Sequence, residues 1–294
     1  MAAVSVVLPS IRAPRIAHPS WRSVCESARN SASEVEVVVS LDRLRTAADD
    51  EFLKRNSDVL RLVSSGMLTG SSQTRLTGMA AATGTIVLFT DDDCVVPLGW
   101  VDSMIDALST APVVSGALRA RDRDNWLSRS EEFTDDVRTH SVTHDGAVKF
   151  VSFPNMGARR EVLPEPLYAN SPYNTAEDVD LSLRLTLAGT AIQMRDDITV
   201  DVTYPTGWRA EFRRKRKHGF GVAFVKAQFT AADWRSADIG SPLTILNRWV
   251  RHSLSAPFPA PRRAQYLVIN LIYCGSLLIW PSRHGNRVNR ATRH

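Results

Sequence analysis

The chain has 294 residues, 44% of them hydrophobic, which suits one large α/β domain with an appendage and excludes disorder throughout. A net charge of +5 and a pI near 9.4 point to anionic partners: nucleotide phosphates, a lipid phosphate, a membrane surface or nucleic acid. Three widely spaced cysteines, Cys25, Cys94 and Cys274, fit neither a disulfide framework nor a zinc pattern and imply a reducing compartment.

The N-terminus lacks the basic region and long apolar core of a signal peptide, so residues 4–8 read as a first strand stopped by Pro9. Residues 12–29 predict a loop and a helix around Trp21 and Val24. The β-branched run at 35–39 is a second strand, and it ends at Ser40-Leu41-Asp42, with an acidic residue at its carboxyl end. A helix over 49–60, a strand over 60–64, a polar loop over 66–73 and a short helix over 74–82, ended by Gly84, follow.

The stretch GTIVLFTDDD, residues 84–93, organises the rest. Its apolar run predicts a short strand buried on both faces, as in a parallel sheet, and Asp91-Asp92-Asp93 follow it directly. Open α/β folds bind ligands at that edge, and clustered carboxylates there suit a hard divalent cation shared with phosphates. In extended backbone Asp91 and Asp93 point one way and Asp92 the other. An acidic, solvated turn or a helix cap is the plainer alternative.

Residues 97–108 predict an amphipathic helix, 113–118 a strand, 119–144 an exposed charged helix and loop, and 148–153 another strand. The last leads into Asn155-Met156-Gly157-Ala158-Arg159-Arg160, a turn and helix start. A second acidic cluster opens a helix at Glu177-Asp178-Val179-Asp180, where carboxylates also favour the helix dipole without any catalytic reason. The segment WRAEFRRKRK, residues 208–217, is either a solvated basic face or a clamp for a diphosphate or an anionic acceptor. No nucleic-acid-binding pattern accompanies it. Residues 266–280 are apolar but shorter than the roughly 20 residues of a bilayer span. They read as a helix docked on the protein, a contact between copies, or an interfacial membrane helix with basic flanks over 262–293.

Strands alternating with helices predict a mainly parallel central sheet flanked by helices. The motifs VSVVLPS, Asp42, Arg75-Leu76-Thr77-Gly78, Ala82-Thr83-Gly84, TDDDCVVPLGWVDSMI, NMGARREVL and EDVDLSLRL together resemble family 2 glycosyltransferases of the GT-A fold over roughly residues 4–225. The resemblance implies a transferase domain over 1–230 and a C-terminal helical extension over 231–294. It implies inverting transfer of a sugar from a UDP-, GDP- or dTDP-linked donor, with Mg²⁺ or Mn²⁺, to an acceptor such as a lipid-linked intermediate or a natural product. Absence of a QxxRW motif implies single transfers. The expected location is cytoplasmic, in contact with the inner face of the membrane if the C-terminal helix lies on it.

By the same resemblance Pro9, Asp42, Arg75, Asp91 and Asp92 belong to the donor site, with Asp42 holding the base or ribose. Gly157 lets the acceptor approach the backbone. Asp91 and Asp93 hold the metal, with His218 as a further ligand, because the histidine many relatives carry near residues 200–204 is missing. Asp178, beside Glu177, is the general base. Two rivals remain: a catalytically inactive nucleotide-sugar-binding scaffold, and a haloacid-dehalogenase-type phosphatase using Asp91 as nucleophile.

Overall fold

A computed structural model describes residues 3–142, 146–237 and 242–291, with side chains up to residue 279 in the last helix. The basic tail at positions 283, 287, 290 and 293 lies outside the described side chains. Four parallel strands form one half of the sheet: β1 (Val4–Ser10) lies between β2 (Val35–Leu41) and β4 (Ile86–Phe89), and β3 (Leu60–Ser64) pairs with the outer edge of β2. These strands are the β-branched runs of the sequence, and β1 is buried along its whole length. Their carboxyl ends converge on one edge, where Asp42 and Asp91 to Asp93 follow.

The other half is mixed. Strand β7 (Met156–Arg159) runs antiparallel between β4 and β6 (Val113–Ala120), β6 pairs in parallel with β8 (Ile192–Val202), and the short β5 (Cys94–Val95) closes the edge on β8. Four of the seven pairings are parallel, so the sheet is mainly parallel as expected. The turn and helix expected at 155–160 are replaced by β7, and the strand expected at 148–153 by a loop and a short 3-10 turn. Asn155 explains the local course. It accepts from Trp100 Nε1 (2.9 Å) and donates to the carbonyls of Ala117 and Ile198 (2.8 Å each), pinning the β6–β8 irregularity after Gly116.

Helices α1 (Pro14–Asn30), α2 (Ala47–Asn56) and α4 (Trp100–Thr110) cover one face, burying Trp21, Val24, Trp100 and Met104. Helices α3 (Gly70–Ala81) and α6 (Glu177–Leu187) belong to the other face, with Phe89, Phe153 and Leu181 in its core. A third apolar cluster joins α5 (Trp126–Thr139), α7 (Trp208–Gln228), α9 (Pro242–Ser255) and α10 (Ala260–Ala291); α8 (Ala231–Ser236) lies beside it. Helix α5 is not the exposed element its charge suggested: Leu127, Ser130, Glu131 and Thr134 are buried.

The apolar C-terminal segment docks on the protein. Tyr266, Ile269, Tyr273, Cys274 and Leu277 are buried, and the Tyr266 hydroxyl meets Thr134 Oγ1 at 2.9 Å. Gly219 in α7 permits this: a Cβ there would lie 2.5 Å from the Tyr273 carbonyl oxygen. Val268, Leu271, Leu278 and Ile279 stay exposed on the far side. Among the described residues no helix is long and apolar enough to cross a membrane.

Candidate active site

The two acidic clusters face each other across one cavity of about 290 Å³ at the carboxyl edge of β1 and β4. Arg75, only 3% exposed, bridges them. Its Nη2 donates to Asp91 Oδ1 (2.7 Å), its Nη1 to Glu177 Oε1 (3.1 Å), and its guanidinium lies 4.2 Å from the centroid of the Phe153 ring. The three aspartates sit in a turn after β4, not in extended backbone, and all of them reach the cavity wall. Asp92 is buried and accepts from the backbone N–H groups of Ile11 and Arg12 at 2.8 Å each, so it fixes the loop after Pro9. Asp93 turns to the cavity and accepts from Arg12 Nη2 (2.6 Å). Burial pushes its pKa up to about 6, Arg12 opposes that, and Asp91 and Asp92 add to it.

Glu177 and Asp178 open α6 after Ala176, whose φ of +69° is a strained conformation of the kind that clusters at functional sites. Glu177 is held by Arg75 and by Ser71 Oγ (3.2 Å). Asp178 makes no ion pair among the described residues and accepts only from the Val179 N–H at 2.9 Å. Its pKa is pushed up to about 6, first by burial, with Arg138 opposing and Glu177 adding. Asp180, in the same cluster, is structural and bonds Ala169 N–H and Arg184.

Several wall residues escaped the sequence. Asp135 and Arg138 come from α5, and Tyr204 donates to Asp135 Oδ2 at 2.7 Å. Arg214 is the part of the basic run that reaches the cavity. It pairs with Glu131 and, at 3.1 Å, with Glu211, while Lys215 is buried against Glu131 at 2.8 Å. Arg213 and Arg216 take the solvated face. Arg12 was also missed, since a lone arginine after a strand carries no signal.

Three expected roles find no support in the geometry. Gly157 lies in β7 with its open side facing the core, where a Cβ would be 2.9 Å from Leu88 Cδ2, and it is not among the residues lining the cavity. Asp42 stays outside the cavity wall: its carboxylate accepts from Thr69 N–H (2.6 Å), Thr69 Oγ1 (2.7 Å) and Gly70 N–H (2.8 Å), holding the loop before α3. His218 does line the cavity, with Nδ1 3.2 Å from Thr175 Oγ1, but burial and then Arg138, Arg214, Lys215 and Lys217 push its pKa well down. That cationic setting opposes a metal ion.

Among the described residues no group of three or more His, Cys, Asp and Glu is arranged to hold a metal alone. The carboxylates of Asp91 and Asp93 are hard oxygen donors, and Mg²⁺ or Mn²⁺ needs only one or two of these when phosphates supply further ligands.

The family model described as glycosyl transferase family 2 matches residues 5–165, and that of glycosyl transferase family group 2 matches residues 86–282. The chain belongs to glycosyltransferase family 2. As a family 2 glycosyltransferase it is an enzyme of glycosyl transfer, which sets aside the phosphatase reading. Among solved structures it is similar to the mannosyltransferase PcManGT from Pyrobaculum calidifontis, in complex with GDP-Man and Mn²⁺. The TM-score is 0.65 at 16% identity, over 95% of this chain and 87% of that one, a likeness of GT-A fold. No curated protein matches the sequence.

Proposed function

We propose that the enzyme transfers one sugar at a time, with inversion, from a nucleoside-diphosphate sugar to an acceptor hydroxyl. The observation that carries this is the apposition of two carboxylate clusters across one cavity, joined by Arg75. The N-terminal side takes the donor. Asp91 and Asp93 hold a divalent cation, Mg²⁺ or Mn²⁺, which when bound supplies charge neutralisation at the departing diphosphate. Arg12 and Arg214 add positive charge to the same wall.

Asp178 is the general base. It takes the proton of the acceptor hydroxyl, whose oxygen bonds to the anomeric carbon while the bond from that carbon to the diphosphate oxygen breaks, its electron pair leaving with the diphosphate. A base opposite the leaving group requires inversion. The raised pKa of Asp178 suits a group that must accept a proton near neutrality. Glu177, bound to Arg75 and Ser71, orients the helix start that carries it. Residues 1–230 act as the transferase domain, with the donor site in their first half, and 231–294 as its helical extension.

A thermal-shift screen of UDP-, GDP- and dTDP-sugars with Mg²⁺ or Mn²⁺ tests the reading, because a ligand bound to the folded state raises the midpoint. A metal-dependent rise with one donor series is expected. Neither a rise nor donor hydrolysis with any of them overturns it.

A further inference from the structure

A second chamber of about 410 Å³ opens beside the first, and Arg138 and His218 belong to the walls of both. The two meet along α6: Asp178 lines the first, and Val179 and Ser182 line the second. Their chemistry differs sharply. Among the described residues no carboxylate lines the second chamber, whereas Asp91 to Asp93, Asp135, Glu177 and Asp178 all line the first. Its cations are Arg138, Lys149 and Arg248, and Arg248 makes no ion pair among the described residues.

The apolar part is aromatic. Trp249 packs edge-on to Tyr273 (centroids 6.2 Å apart), the His218 ring stacks on Tyr273 (5.6 Å), and Arg138 lies 5.9 Å from the Trp249 ring centroid. At the neck, His218 Nε2 is buried with no hydrogen-bond partner among the described residues. An orphaned buried ring nitrogen is costly, and an oxygen atom from a ligand removes that cost. An anion on the same ligand gives the half-buried Arg248 a counter-ion.

We infer that this chamber receives the acceptor, and that the acceptor is an amphipathic anion: an apolar ring or chain bearing a phosphate or carboxylate in addition to the hydroxyl that is glycosylated. The inference rests on Asp178 being the base, as proposed above. The anionic group pairs with Arg248, the apolar body lies on Trp249 and Tyr273, and the hydroxyl reaches Asp178 through the neck between Arg138 and His218. Helices α9 and α10 thereby contribute to acceptor choice, a role beyond covering the transferase domain.

Calorimetric titration of the full chain tests this, with Mn²⁺ and whichever of UDP, GDP or dTDP raises the thermal midpoint held at saturation. The probes are 1-naphthyl phosphate, neutral 1-naphthol, and farnesyl phosphate in detergent micelles. At least one phosphate binds about tenfold or more tightly than naphthol, and Arg248→Gln removes about that factor. Thr186→Glu, which places a carboxylate in the same wall, weakens it in the same direction. The tighter phosphate shows whether the ligand is a soluble aromatic or a lipid phosphate. Equal affinity for naphthol and both phosphates overturns the inference, as does an affinity unmoved by both substitutions or phosphate binding lost when nucleotide is present. Failure of every nucleotide to shift the midpoint instead strikes the donor reading, so the two failures are distinguishable.

Discussion

The aspartates after β4 and Asp178 at the start of α6 lie across one cavity, yet their charges are managed in opposite ways. On the donor side Asp91, Asp92 and Asp93 are each bonded by an arginine, Arg75 or Arg12. On the other side, among the described residues, Asp178 has no ion pair, and Arg138 is 3.7 Å from its one carboxylate partner, Asp135. Carboxylates already compensated by cations can exchange one cation for another with little cost to the fold. An uncompensated carboxylate suits the base proposed for Asp178. The contrast matches the proposed split between donor binding and chemistry, and substitutions on either side are expected to divide the same way.

The largest effect belongs to the unpaired acid. Asp178→Asn lowers the transfer rate by about 10²- to 10⁴-fold, the usual contribution of a general base, while the metal-dependent thermal shift with donor is retained. Initial rates and melting curves on one preparation check this. Loss of donor binding would place Asp178 on the other side of the comparison. Next comes the bridge itself. Arg75→Ala leaves Asp91 and Glu177 without their buried partner and costs about 3–5 kcal/mol of stability by denaturant titration. A cost below about 1 kcal/mol would show the bridge to be solvated.

The pH dependence separates the clusters further. With a pKa near 6, Asp178 is ionised above that pH, so kcat/KM falls about tenfold per unit below it. Stability moves in the opposite sense. The folded pKa lies above the roughly 4 of an unfolded aspartate, so between pH 4 and 6 the folded state binds the extra proton. The contribution of Asp178 is therefore fully favourable below pH 4 and is lost as pH rises through 6. Relative to the parent, Asp178→Asn gains melting temperature between pH 4 and 7; parallel melting curves across that range would contradict the raised pKa.

Legibility in the sequence follows the same divide. The proposed donor side stands on β-branched strands whose hydrophobic runs and terminal aspartates are local signals, so β1 to β4 and the position of the aspartates at the sheet edge were readable. The acceptor side stands on long-range packing. Helix α5 buries Ser128, Ser130, Glu131 and Thr134, and the partners of Glu131 and Thr134, Lys215 and Tyr266, come much later in the chain. A polar helix face gives no apolar stripe, so Asp135 and Arg138 looked solvated. Strand β7 is four residues with a glycine, formed because strands on both sides supply its hydrogen bonds, and not by its own propensity. Residues 148–153 carry strand-like composition but bury Val151 and Phe153 from a loop. Asp42 was visible as an acid at a strand end, but its capture by Thr69 and Gly70 depends on a turn that composition does not reveal.

The smallest expected effect tests whether the donor carboxylates are held in reserve by a protein cation. Arg12 bonds both Asp92 and Asp93, and its own pKa is raised by Asp93 and Asp92 against the pull of burial, so the pairing favours both charges. A divalent ion approaching Asp93 therefore competes with a guanidinium already at that oxygen. With Arg12→Gln the competitor is gone while Asp92 keeps its bonds from the Ile11 and Arg12 backbone. Mn²⁺ alone, titrated without nucleotide and followed by paramagnetic relaxation of water, binds a few-fold more tightly to this variant, since the partly exposed Arg12 no longer occupies Asp93 Oδ2. Weaker binding would mean that Arg12 shapes the metal site through the loop it anchors, and the donor side would then be preorganised, not held in reserve.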